Sequence, residues 1–142
     1  MKSARRQARE IALQALYAWQ LSGADPLDEA RALAPEEKFD RAFAEALVRG
    51  VRERAEELQA LLAPHVEREF ARLSPVERSI LYIGAFELMA HPEIPFKVVM
   101  NEAIELGKSY GGAEGHRFVN GVLEKIAARL RPAEVARARN PA

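Results

Sequence analysis

Ser74-Pro75-Val76-Glu77 opens the segment that most constrains how this chain folds. A serine with a glutamate three residues later makes a capping box, and the proline falls in the first helical turn, where its missing N–H costs nothing. Behind it Ile80, Leu81, Ile83, Gly84, Leu88 and Met89 are almost continuously apolar. So broad an apolar surface predicts a helix buried on more than one side, ended by His91-Pro92.

Helical patterns flank it, and no segment shows a period-two alternation, so the fold class expected is all-α with about seven helices. A first helix runs from about Ala4 to Ser22 and stops at Gly23. Asp25, Pro26 and Asp28 supply an N-cap, a first-turn proline and a third-position carboxylate for a short second helix. Pro35 opens the next, whose apolar positions Phe39, Phe43, Leu47, Val51, Leu58 and Leu61 carry it to about Ala63. Gly50 inside it costs up to about 1 kcal/mol relative to alanine, which suggests close helix approach. After the central helix, Pro95 opens a helix from Phe96 to about Tyr110, and a glycine-rich turn leads to a last one from Arg117 to Leu130. The stretch Ala63 to Ser74, with a short helix from His65 to Leu73, divides an N-terminal bundle (about 4–63) from a C-terminal one (about 74–131). A basic tail, 132–142, reads as flexible. Trp19, Leu47, Val51, Ile80, Ile83, Leu88, Ile104, Val122 and Ile126 are expected in the core.

At 142 residues the chain suits one domain. It has no cysteine, which removes disulfides, zinc-thiolate sites and thiol nucleophiles and is compatible with a reducing, cytoplasmic setting. No apolar run approaches the roughly 18 residues of a membrane span, and no secretory h-region is present. Basic and acidic residues balance, 21 against 21, but Lys2, Arg5, Arg6 and Arg9 precede the first acid, Glu10. Arg131, Arg137 and Arg139 likewise outnumber Glu134 in the tail. A local patch for a polyanion and a pair of solvated ends both fit this asymmetry.

Enzymatic chemistry finds no foothold. His65, His91 and His116 are far apart, and no Glu-x-x-His pair, Walker loop or nucleophile elbow occurs, so neither a metal nor another cofactor is expected. Glu102 and Glu105 are expected on a solvated face near Lys108. The first helix is more suggestive. At about 100° per residue, Ala8, Ile11, Ala12, Ala15 and Trp19 form the core stripe, while Arg6, Arg9, Leu13 and Tyr17 lie on another face. Cations beside a ring suit single-stranded RNA, which offers phosphates and unstacked bases; packing of Tyr17 against other helices is the alternative. Phe118, next to Arg117 and Asn120 at the edge of the stripe formed by Val119, Val122, Leu123, Ile126 and Leu130, either packs or stacks. Asn120-Gly121 is locally poor helix, which suggests close packing or a contact that other residues would obstruct.

Three blocks, ARRQAREIALQALYAWQLSG, LSPVERSILYIGAFELM and the stretch from Ile94 to Ile126 with its H-x-F-V-N-G motif, resemble the NusB family of bacterial transcription antitermination factors. The resemblance implies an all-helical pair of bundles that binds boxA RNA of ribosomal transcripts together with the small-subunit ribosomal protein NusE, in the antitermination complex of RNA polymerase. It implies Arg5, Arg6 and Arg9 as phosphate contacts and Tyr17 and Phe118 as base-contacting rings, with Arg117 and Asn120 beside them and Glu77 and Arg78 on the same surface. It implies Phe86, Glu87 and the loop around Glu114 as the NusE-binding face. Tyr82 stands where many members have a basic residue and Gln7 interrupts an arginine run, which points to weaker affinity for RNA alone. A homodimer that hides the RNA face is left open. Two other readings compete: a helical protein-interaction module without RNA, and the accessory domain of a ribosomal RNA methyltransferase, against which stands the chain end at Ala142.

Overall fold

A computed structural model describes residues 2–33, 39–67, 69–111 and 115–140. Among them every regular element is helical: α1 (Ala4–Ser22), α2 (Pro26–Ala32), α3 (Arg41–Glu53), α4 (Ala55–Leu62), α5 (Pro75–Ala90), α6 (Phe96–Tyr110), α7 (Gly115–Leu130) and α8 (Pro132–Arg139). Two 3-10 turns, Ala63–His65 and Phe70–Arg72, link α4 to α5 in place of the single short helix expected there.

The punctuation works as its chemistry requires. Ser3 Oγ accepts the Arg6 N–H at 3.0 Å, and Gly23, with φ of 74°, stops α1 in the left-handed conformation while donating to the Trp19 carbonyl. Asp25 caps α2 by accepting the Leu27 and Asp28 N–H groups, and Ser74 accepts the Glu77 N–H at 3.1 Å. Pro35 lies outside the described residues; the helix that follows starts only at Arg41, capped by Asp40. That helix also breaks at Arg54 (φ −114°, ψ 21°), where one was expected to continue. The apolar spacing runs straight through the break, from Val51 to Leu58, and so conceals it.

The capped helix α5 is the axis of the molecule, with every residue from Ser79 to Leu88 buried. Helices α1, α3 and α4 pack on it from the N-terminal half, α6 and α7 from the C-terminal half. Close approach depends on two glycines. A Cβ on Gly50 would lie inside the Phe86 ring, and one on Gly84 would meet Leu123 Cδ1 at 2.6 Å. Leu47, Val51, Ile80, Ile83, Leu88, Val122 and Ile126 are buried as expected. Trp19 and Ile104, expected in the core, are only half-buried; Trp19 packs against the core from its edge.

The tail, expected to be flexible, is helical and docked where it is described. Residues 132–139 form α8, whose Val135 is buried and whose Glu134 accepts the Phe96 N–H at 2.7 Å. Just before it, Arg131 is buried and donates to the carbonyls of Glu87, Leu88, His91 and Ile94. One guanidinium thus gives partners to the Leu88 and Ile94 carbonyls and adds a second to those of Glu87 and His91, which also accept the His91 and Ile94 N–H groups.

Candidate nucleic-acid interface

The arginines of α1 divide sharply by burial. The Arg5 side chain is 50 % exposed, lies 3.4 Å from Asp40 and covers the Phe43 ring at 4.4 Å. Arg6, 36 % exposed, donates to Glu102 at 2.9 Å, a bond that raises its already high pKa. Arg9 is 3 % exposed, so in this conformation its guanidinium is enclosed and presents no surface to a phosphate. Its Nε and Nη2 donate to the two Glu87 oxygens at 2.9 and 2.7 Å, with Glu102 a further 3.8 Å away. Such a fork satisfies both buried charges, whereas either alone would carry a large desolvation penalty. The periodicity of α1 missed this because the helix is covered on two faces: Leu13, assigned to the outer face, is also buried. A signal existed, since Glu87 is the one charged residue in the run from Ile80 to Ala90 and needs a buried cation.

Two of the residues that the resemblance implies for the NusE-binding face are buried. Glu87 is interior, and Phe86 is buried between Gly50 and His91, so neither side chain meets a partner in this conformation. Glu114 lies outside the described residues. Tyr82 is also interior, its ring 5.4 Å edge-on from Phe70, and burial raises its hydroxyl pKa. Its departure from a basic residue therefore does not fall on an exposed surface. Glu102, expected on a solvated face, is instead the partner of Arg6 and Arg9, while Glu105 does sit 3.9 Å from Lys108.

Along the crossing of α1 and α6 the basic N-terminal segment is largely neutralised. Lys2 donates to Glu10 at 2.9 Å, which raises the lysine pKa, and Tyr110 donates to the same carboxylate at 3.1 Å. The Tyr110 hydroxyl pKa is raised, by burial first and then by the Glu10 charge. Beyond this seam Tyr17, 39 % exposed, lines an apolar groove of about 360 Å³ with Leu13, Leu33, Val76 and Tyr110. Glu77 and Arg78 stand half-buried at the start of α5 and line neither this groove nor the one below; Arg78 donates to the Ala71 carbonyl at 3.2 Å.

A second groove, of about 330 Å³, lies between α7 and the turn after α4, lined by His65, Glu67, Arg117, Phe118, Gly121, Val122 and Lys125. Phe118 is half-buried, packed on the core on one side and open to the groove on the other, so its ring both packs and offers a surface. Arg117, Gly121 and Lys125, spaced i, i+4, i+8, form one row along the helix. Sequence reasoning singled out Arg117 and Phe118 but missed His65 and Lys125, although the four-residue spacing was there to be read. Asn120 is half-buried on α7 and does not line the groove. Tyr110, at the end of α6, lines the first groove, and Arg117 and Phe118, in the first turn of α7, line the second. Among the described residues no cluster of three His, Cys, Asp or Glu is placed to hold a metal.

The model of the NusB family matches residues 6–128. The transcription antitermination protein NusB of Dechloromonas aromatica is 51 % identical over 139 residues, covering 95 % of this chain and 85 % of that protein. The protein of the same name from Burkholderia cenocepacia (strain HI2424) is 49 % identical over 143 residues and 98 % of each chain. Among solved structures, T. maritima NusB superimposes with a TM-score of 0.85 at 29 % identity, over 96 % of this chain and 99 % of that one. A crystal structure of the antitermination factors NusB and NusE in complex with dsRNA contains a chain that matches with a TM-score of 0.81 at 28 % identity, over 91 % and 99 %.

Proposed function

The chain belongs to the NusB family, and from that premise we propose that it is an RNA-binding transcription antitermination factor that takes up boxA RNA of ribosomal transcripts jointly with NusE. It acts by binding, not by catalysis, and supports processive transcription as part of the RNA polymerase antitermination complex. The observation that carries this reading is the Phe118 ring, half open in a groove that also holds Arg117 and Lys125. A ring for a base and cations for the flanking phosphates are what an unstacked strand requires. The related NusB–NusE complex contains dsRNA; the layout here favours a single strand, because a duplex hides the faces of its bases from a ring.

Arg5 and Arg6 supply phosphate contacts by exchanging Asp40 and Glu102 for RNA oxygens, and Tyr17 takes a second base. The NusE surface belongs on the C-terminal bundle, with Glu114 its remaining named candidate. The protein works in the cytoplasm, where its transcripts are made; among the described residues no helix is long and apolar enough to cross a membrane. The test is titration of labelled boxA strand, scrambled strand and duplex, each with and without NusE, alongside size-exclusion chromatography. Preference for the boxA strand that increases with NusE is expected, and any homodimer should dissociate as RNA is added. Equal affinity for all three RNAs, indifferent to NusE, would overturn the reading.

A further inference from the structure

We propose that the groove between α7 and the turn after α4 holds one unstacked nucleotide, and that His65 reads the edge of its base. The inference rests on the RNA-binding reading above and adds a residue that determines specificity. His65 Nε2 is buried without a hydrogen-bond partner, and the side chain lines the groove. Buried polar atoms are nearly always satisfied, so an unpaired one on a side chain that lines a groove is explained most economically by a partner that it meets when the ring turns toward an arriving ligand. Gln20 Oε1, Arg78 Nε and His116 Nδ1 are also buried without a partner, but none of these residues lines the groove.

Gly121 supplies a second, independent observation. A glycine inside a helix is costly, and elsewhere in this fold that cost is offset by close packing, as at Gly50 and Gly84. At Gly121 a Cβ would meet nothing within 4 Å. The missing side chain therefore serves no packing role and leaves space between Arg117 and Lys125, which are about 12 Å apart along the helix. A base resting on Phe118 occupies that space, with a cation on either side for the phosphates. Glu67, at the rim, disfavours a second phosphate close to His65. The groove volume of about 330 Å³ is at the low end of ligand sites, roughly 300–1,000 Å³, and suits one nucleotide rather than a helix.

Phosphate contacts act on all sequences alike, whereas contacts to a base edge act at one position, and this separates the roles. The test is a titration of the full chain with NusE against boxA oligonucleotides in which each position is varied in turn, repeated across salt, with thermal melts alongside. For His65→Phe we expect a loss of about tenfold or more confined to one position, with an unchanged salt slope, and partial recovery in His65→Gln. For Lys125→Ala we expect a uniform loss and a slope shallower by roughly 0.7. A uniform loss, or none, in both His65 variants, while Phe118→Ala and Lys125→Ala still weaken binding, would overturn the role of His65 alone. Unchanged binding in all four variants would remove the groove from the RNA path altogether.

Discussion

Arg9 and Glu87 face each other with 3 % and 2 % of their side chains exposed, and that burial decides how each behaves when changed. Arg9→Ala leaves Glu87 as an uncompensated interior charge and should cost about 3–5 kcal/mol in chemical denaturation. Arg9→Met with Glu87→Leu should return close to wild-type stability, because an apolar pair of similar volume has no charge to desolvate. A double variant as unstable as the single one would show that the carboxylate is not the source of the loss. Phe118 contrasts with this. Because its ring is half open, Phe118→Ala should lose less stability than the roughly 3–5 kcal/mol of a fully buried phenylalanine, while costing roughly 1–3 kcal/mol of RNA binding. A melt that collapses with normal RNA affinity in the folded fraction would return Phe118 to a purely packing role.

Two glycines, on α3 and α7, should respond with opposite signs although both lie inside helices. Alanine gains up to about 1 kcal/mol of helix propensity at each. At Gly50 the gain is outweighed, because the new Cβ would enter the Phe86 ring and force α3 from α5 at a cost of roughly 1–3 kcal/mol or more. At Gly121 there is open space, so Gly121→Ala should raise the melting temperature while weakening RNA binding. Equal melting shifts for the two variants would contradict this packing account. The cap of α2 adds a pH dependence. Two backbone N–H bonds, and less strongly Arg52, lower the Asp25 pKa, so its ionised form stabilises the fold. A carboxyl with a lowered folded pKa contributes fully above its unfolded value, near pH 4, and loses that contribution as pH falls through the folded value. Asp25→Asn caps without titrating, so the stability of wild type relative to this variant should decline below about pH 4. A gap that stays constant across that range would show that the Asp25 charge adds nothing to the cap.

Across the whole molecule, buried arginines tie together segments far apart in the chain. Arg9 joins α1 to α5 and approaches α6, and Arg131 joins the start of α8 to the end of α5. The two bundles should therefore unfold in one transition, with fluorescence and circular dichroism midpoints coinciding. Arg131→Ala, which strands buried carbonyls, should cost on the order of 3 kcal/mol. Separate midpoints would show that the bundles unfold independently. Local chemistry determined the helical class, the ends of α1, the starts of α2 and α5, the bounds of α6 and most of the core. Caps, prolines and apolar spacing act within a few residues and need no knowledge of the fold. They also singled out the ring of Phe118 and the cation of Arg117. Only the tertiary structure decided that Arg9 and Glu87 are interior, that Tyr82 and Phe86 are not surface groups, that residues 132–139 dock as a helix, and that His65 meets α7 across a groove. Each depends on which face of a helix is covered by a segment distant in the chain, and periodicity along one helix records that a face is apolar without recording how many neighbours cover it.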